Sequence, residues 1–216
     1  MSAYLFDMDG VLVDNARYHI QAWRECSRKW GKELSLEEIK GLFGRSNRAF
    51  MRVVLQREPT DEETKFAEVN KEAAYREFCR PHLRLPDGLH ELLEAIRRSG
   101  APCAVATSAP PANVDFVLDG LQIRSYFSRV IDDSQVKRHK PAPDVYLEAA
   151  RQVGVDPSEC VVFEDSLAGV DAARAAGMRV VAITTSCTEA ELLPRQPTYL
   201  IHSFTECKSI LPELFV

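Results

Sequence analysis

The chain has 216 residues, 45% of them hydrophobic and 27% charged, with a net charge of -5. That is the composition of an ordinary globular protein, long enough to bury its core without disulfide or metal staples, as one large domain or a core carrying a smaller insert. The acidic balance offers no field for nucleic acid, and no uncharged run reaches the ~18 residues that a membrane span needs.

The N-terminus lacks a basic segment followed by a long apolar one, so a cytoplasmic protein without membrane or nucleic-acid partners is expected, by default a monomer. Six cysteines (Cys26, Cys79, Cys103, Cys160, Cys187 and Cys207) show neither a CxxC pair nor zinc-like spacing. They read as reduced core residues.

In chain order, Tyr4-Leu5-Phe6 is the end of a short buried strand, followed at once by Asp7-Met8-Asp9-Gly10. Two carboxylates two residues apart at a strand end converge at a turn, and their repulsion is relieved by a divalent cation or a shared proton. Gly10 allows the tight turn and leaves room for a ligand. From Asn15 to about Trp30 the pattern turns helical, with Ala16, Ile20, Trp23, Cys26 and Trp30 on one stripe. Ser35 with Glu38 reads as a capping box, a Gly41 to Gly44 break follows, and Phe50, Val53, Val54 and Leu55 predict another helix. A longer helix starts at Thr60 and runs to about Phe78. Residues 15–82 are therefore predicted all-helical, and 1–14 with 83–216 as a separate α/β unit.

Past Pro81 and Pro86, helix and strand alternate. Asp87 is placed as the cap of a helix stopped by Gly100, and Cys103 to Ala106 is a strand ending at Thr107-Ser108. A helix is predicted from Asn113 to Leu118, then a strand over Arg129 to Ile131. Asp144 is placed as the cap of a helix over Val145 to Val153. Cys160 to Phe163 is a strand ending in Glu164-Asp165, an alanine-rich helix runs from Ser166 to Ala176, and Arg179 to Ile183 is a further strand. Short apolar strands between helices predict a doubly wound parallel sheet buried on both faces, with a helical cap inserted after the first strand.

In such a sheet ligands bind beyond the carboxyl ends of the strands. Asp7 and Asp9, Thr107 and Ser108, Lys140 and Glu164 with Asp165 all fall at that edge. The carboxylates make a hard oxygen site suited to Mg2+. Lys140 adds a cation and Thr107 a hydroxyl donor, a set suited to a phosphoryl group in transfer.

DMDGVLVD, the Thr-Ser strand end, KPAPDVY and VFEDSLAG resemble, in order and spacing, the four motifs of the haloacid dehalogenase superfamily. Tyr18-His19-Ile20-Gln21-Ala22-Trp23 and the helical insert resemble its β-phosphoglucomutase-like branch. The resemblance implies Asp7 as nucleophile through an aspartyl-phosphate and Asp9 as general acid/base. It implies Thr107 and the Ser108 backbone on the phosphoryl oxygens, and Lys140 balancing charge. The Mg2+ ligands it implies are the Asp7 carboxylate, the Asp9 backbone carbonyl, Asp165 and Glu164. It also implies a cis Lys140-Pro141 bond and a cap that closes about hinges near Asp14-Asn15 and Arg80 to Pro86.

Three outcomes follow from these residues. Water attacking the intermediate makes a phosphatase of a small phosphomonoester, with a sugar phosphate expected. A second sugar-phosphate hydroxyl makes a phosphohexomutase. A silent binding or regulatory protein is the third, although it has no need of an acid/base at Asp9. The mutases resembled use a cap arginine after Gly-x-Ser and a Ser-Lys-Asn run after the second motif. Here Asn47 stands at the arginine position and Ala109-Pro110-Pro111 follows the second motif, with Arg45, Arg48 or Asn113 as possible substitutes. His19, Trp23 and Lys71 match mutase cap positions, against plain packing for the first two and a solvated helix lysine for the third. His19, Trp23, Arg45, Lys71, Ser108 and Asn113 are thus the candidate substrate-binding residues.

Overall fold

The computed structural model describes residues 2–42 and 45–214, without the side chain of Glu213. Six strands form one parallel sheet among these residues: β1 (Ala3–Phe6), β2 (Cys103–Ala106), β3 (Arg129–Ile131), β4 (Cys160–Glu164), β5 (Arg179–Ile183) and β6 (Tyr199–Ile201). Their order is β3-β2-β1-β4-β5-β6, so the chain winds outward twice from a switch beside β1. Crevices open at such a switch because the crossover helices leave on opposite faces.

Among the described residues ten α-helices accompany the sheet: α1 (Ala16–Lys29), α2 (Leu36–Lys40), α3 (Asn47–Leu55), α4 (Asp61–Cys79), α5 (Leu89–Ser99), α6 (Pro111–Gly120), α7 (Asp144–Val153), α8 (Leu167–Ala175), α9 (Glu189–Leu192) and α10 (Cys207–Ile210). Along β1 the side chains alternate between faces. Tyr4 and Phe6 meet α5 and α6 through Leu92, Ile96, Val114 and Val117. Ala3 and Leu5 meet α7 and α8 through Tyr146, Ala149, Val170 and Ala173. Both faces are covered, which is why the strands read as unbroken apolar runs.

The four helices between β1 and α5 carry an apolar cluster of their own, built on Trp23, Leu34, Ile39, Phe50, Met51 and Val54. Trp23 lies stacked on Phe50 at 4.2 Å between ring centroids. Tyr18, Ala22, Tyr75 and Cys79 pack instead into the sheet's core, joining α1 and α4 to it. Capping boxes at Ser35 with Glu38 and Thr60 with Glu63 are both formed, each contributing on the order of 1 kcal/mol. All six cysteines are free, five of them buried.

Several boundaries differ from expectation. Asp87 does not cap α5: Gly88 takes that position at φ 83°, and a Cβ there would lie 2.4 Å from the Thr205 nitrogen. Close packing against Phe204-Thr205, rather than a side-chain oxygen, sets that helix start. Helix α6 begins at Pro111, since a proline in the first turn forfeits no hydrogen bond. Asp144 lies inside α7 and pairs with Arg138. Strand β6 and helices α9 and α10 had no forecast, each being only three or four residues and too short for a periodic signal. The Gly41 to Gly44 break extends to Gly44, which lies outside the described residues.

Candidate active site

Register places the first acid. Phe6 pairs with Phe163 of β4 and Val105 of β2, so Asp7 leaves the sheet with its N–H on the Phe163 carbonyl at 3.0 Å. All strands run parallel, and the ends of β1, β2 and β4 therefore deliver Asp7, Thr107 and Glu164-Asp165 to one edge. The loop after β3 brings Lys140 to the same place. Each of these five residues is buried. Gly10 turns the chain away at φ 79°, where a Cβ would stand 1.7 Å from Asp165 Oδ2. A side chain here would displace Asp165.

Lys140 forms the floor of the site. Its ammonium donates to Asp7 Oδ1 at 2.8 Å, Glu164 Oε1 at 2.7 Å and the Ala106 carbonyl at 3.3 Å, using all three donors. The Lys140-Pro141 bond is cis. Glu164 is fully engaged. Oε1 accepts from Lys140 and Tyr146, and Oε2 from the backbones of Asp165 and Ser166 and the Ser166 hydroxyl. Tyr146 was not among the sequence candidates, since an apolar-face tyrosine on a helix carries no distinguishing signal.

Asp7, Glu164 and Asp165 each offer a carboxylate oxygen within 4.8 Å of the others. Asp165 Oδ2 is buried without a hydrogen-bond partner among the described residues. Burial, with the Glu164 and Asp7 charges, pushes Asp165 well above the usual carboxylate range. Burial likewise raises Asp7 to about 7, against the pull of Lys140. Two raised carboxylates and an unpartnered oxygen fit a divalent cation, whose charge reverses both effects. Asp7 and Asp165 have oxygens to spare for it. Glu164 is within reach, but its oxygens already carry five hydrogen bonds, so its first task is to hold Lys140 and the turn.

Gly169 shows how closely that turn is packed. It lies in α8, where alanine is ordinarily better than glycine by about 1 kcal/mol, yet a Cβ there would fall 1.6 Å from Glu164 Oε1. Gly169→Ala is expected to destabilise by about 1–3 kcal/mol, the cost of overpacking. Thermal melts of the two proteins decide the sign; a stabilised variant would refute this packing.

Asp9 has a different environment. The Asn15 amide donates to Asp9 Oδ1 at 2.6 Å and the Asn15 carbonyl oxygen accepts from the Gly10 N–H. His19 Nε2 stands 3.4 Å from the same Asp9 oxygen, while its Nδ1 meets the Lys71 ammonium at 2.9 Å. An ammonium can only donate, so Nδ1 is the acceptor and the ring proton sits on Nε2, facing Asp9. Burial pushes Asp9 up, but His19 and Asn15 more than offset it and the carboxyl lies below its ordinary value. His19 is held flat on Tyr75, 3.8 Å between centroids. Asn15 reads in the sequence as a helix start and part of a hinge; nothing in a single asparagine marks it as the link between Asp9 and the helical segment.

Lys71 is buried rather than solvated. It pairs with Glu72 Oε1 at 3.0 Å and lies 5.1 Å from the Trp23 ring centroid. Glu72 Oε2 accepts from the Asn113 amide at 2.7 Å, and Asn113 Oδ1 accepts from Arg76 at 2.6 Å. Glu72 carries no local signal, because a glutamate directly after Lys71 on a helix reads as one half of a solvent-facing charge pair. Burial raises the Glu72 carboxyl, but Lys71, His19 and Asn113 bring it below the ordinary 4.5. A depressed folded value means that Glu72 contributes stability above about pH 4.5, lost as pH falls through the folded value. The stability gap between wild type and Glu72→Gln should therefore narrow on acidification from pH 7 to 3. Urea midpoints at both pH values measure it, and a constant gap would contradict the assignment.

One cavity spans these groups. Among the sequence candidates, Asp7, Asp9, Thr107, Ser108 and Asp165 line it from the sheet side with Asn113 of α6, and His19, Trp23, Arg45 and Lys71 from the helical segment. Lys140 and Glu164 lie outside this lining. Arg48 is turned away, its guanidinium bonded to Glu58, Asp61 and the Pro59 carbonyl, and it leaves the list of substitutes for a mutase arginine. Glu72, Asn15, Asn47 and Ser186 also line the cavity. Among the described residues no helix is long and apolar enough to cross a membrane.

Known proteins resemble this chain throughout its length. It is 33% identical over 180 residues to the fructose-1-phosphate phosphatase YqaB of Escherichia coli, covering 82% of this chain and 93% of that one. It is 30% identical over 216 residues to a phosphorylated carbohydrates phosphatase of Thermotoga maritima, covering 99% and 100%. The crystal structure of β-phosphoglucomutase from Clostridium difficile superposes with a TM-score of 0.87 at 25% identity, over 100% of this chain and 97% of that one. The model of the haloacid dehalogenase-like hydrolases matches residues 1–177, which contain every acid and the lysine gathered at this sheet edge. The chain is thus an enzyme of the haloacid dehalogenase-like hydrolase family, in its β-phosphoglucomutase-like branch.

Proposed function

We propose that this protein is a Mg2+-dependent phosphatase of small phosphomonoesters, with sugar phosphates as the substrate class, acting through an aspartyl-phosphate at Asp7. The observation that carries it is the asymmetry between the two acids: Asp7 is bound by Lys140 alone at its Oδ1, whereas Asp9 is tied to Asn15 and His19. That asymmetry supports Asp7 as the group that attacks and Asp9 as the one that exchanges a proton. The named phosphatases among the relatives support the substrate class.

In the first step an Asp7 oxygen forms a bond to phosphorus as the ester P–O bond breaks; Asp9, ionised in the free protein, takes up a proton from solvent as substrate binds and gives it to the departing oxygen. Asp9 then takes a proton from water, whose oxygen bonds to phosphorus and releases Asp7. Thr107 and the backbone at Ser108 would hold the phosphoryl oxygens, and Lys140 favours the ionised form of Asp7 and aims it. When bound, Mg2+ supplies charge neutralisation for the phosphoryl oxygens, held by Asp7 and Asp165 with the Asp9 carbonyl and Glu164 beside them. The helical segment, residues 15–82, serves as the cap that covers this chemistry.

Phosphate release with Mg2+ from a panel of sugar phosphates, other small phosphomonoesters and pyrophosphate is the test. Release from one small class, lost with EDTA and restored by Mg2+, is expected. Isomerisation of β-glucose 1-phosphate without release would make it a mutase, and silence on the whole panel would favour a binding role.

A further inference from the structure

The leaving-group end of the cavity carries a buried anion that the hydrolytic steps do not use. Glu72 is 3% exposed and lines the cavity on the α4 side. Its two oxygens are fixed from opposite directions, by Lys71 on its own helix and by Asn113 on α6. The Asn113 orientation is forced. Arg76 can only donate, so Asn113 must turn its carbonyl oxygen to Arg76 and its amide to Glu72. The chain of donors Arg76 to Asn113 to Glu72, with Lys71 on the other oxygen, leaves Glu72 as an acceptor throughout.

Resting on the phosphatase reading, we propose that Glu72 is a specificity-determining residue: it rejects substrates bearing a second phosphate and admits uncharged, hydroxyl-bearing leaving groups.

Among the described residues the cations lining the cavity are Arg45 and Lys71. Lys71 is already matched by Glu72 at 3.0 Å, so this pair presents no net charge to an incoming group. A second phosphate would meet Arg45, which is exposed, and behind it a lysine whose charge Glu72 has already taken, so it would be desolvated with no free buried cation to pair with. A charge left unpaired in a desolvated interface is costly enough for large discrimination. A hydroxyl both donates and accepts. It can give its proton to a free lone pair of Glu72 and receive a bond from a neighbouring donor, as a buried ion pair requires of whatever covers it. A cationic leaving group finds no uncompensated anion there, because Lys71 has neutralised it.

The test compares kcat/KM for fructose 1-phosphate and fructose 1,6-bisphosphate in wild type and Glu72→Gln, following release from position 1. Glutamine keeps an oxygen for Asn113 and removes the charge. Wild type is expected to favour the monophosphate by about 100-fold or more, and the variant to narrow that preference at least about tenfold, chiefly through the KM of the bisphosphate. An unchanged ratio in a variant that still turns over the monophosphate overturns the proposal. Should Glu72→Gln not fold, inhibition of wild-type hydrolysis of a third sugar phosphate decides. A bisphosphate Ki far above that of the monophosphate supports the proposal, and equal or tighter bisphosphate inhibition overturns it. Silence of the wild type on every phosphomonoester overturns the parent reading, and this one with it.

Discussion

Replacing Asp7 with Asn is expected to abolish phosphate release, by about 10^4-fold or more, while the fold survives. The amide cannot attack phosphorus, yet it is the same size and can still accept from Lys140. The structure also gives the variant's stability a direction. Burial and Glu164 push Asp7 upward, and only Lys140 among the principal influences pulls its value down. Removing one of two carboxylates that share a single buried ammonium therefore costs little, since Glu164 still pairs with Lys140 at 2.7 Å. Near-native melting with no turnover is the expected combination. Residual activity within tenfold of wild type would point to direct attack by water.

Lys140→Met reverses that balance and should be the most damaging single change. The methionine fills most of the lysine's volume, but Asp7 and Glu164 are left buried without their shared cation. Removing one partner of a buried ion pair costs on the order of 3–5 kcal/mol, because the remaining charge is uncompensated. For a chain of this size that corresponds to a fall in Tm of roughly 10 °C or more. The effect has a pH signature. Burial already raises Asp7 to about 7, and without Lys140 its folded value moves further above the unfolded one. A raised folded value penalises stability where the unfolded group ionises, so the variant's deficit should shrink as pH falls below neutrality and Asp7 is protonated. Differential scanning calorimetry at pH 5 and pH 8 measures both the size and the slope. Added Mg2+ should recover part of the loss by binding the folded state, which no merely packing role for Lys140 accounts for.

The parts of this account that were legible in the sequence share a property: their signal is local. Asp7, Asp9, Thr107 and Asp165 lie at the ends of short apolar runs and Lys140 in a Lys-Pro-x-Pro loop beyond another, and a parallel sheet sends every such run to one edge. The capping box at Ser35 and the helix start at Thr60 are likewise written in four residues. What escaped is non-local. Asn15 matters because Tyr75, sixty residues on, places its hydroxyl against the same amide that holds Asp9. Glu72 looked like one more solvated charge until Asn113, 41 residues away, closed over it. Gly88 replaced Asp87 at the start of α5 because the backbone of Thr205 lies against it, and no feature of residues 86–90 announces that. Tertiary contacts across long separations decide these positions, and local propensity does not register them.

Covalent catalysis by Asp7 is tested directly by trapping its acyl phosphate. Enzyme turning over a preferred phosphomonoester with Mg2+ is quenched with borohydride, which reduces an acyl phosphate to an alcohol, and the N-terminal peptide is sequenced by mass spectrometry. Asp9→Asn is run in parallel, since it slows attack by water on the intermediate. Conversion of the Asp7 side chain to the alcohol, dependent on substrate and enriched in the variant, is the expected result. An unmodified Asp7 in both samples, with phosphate still released by the wild type, would contradict it.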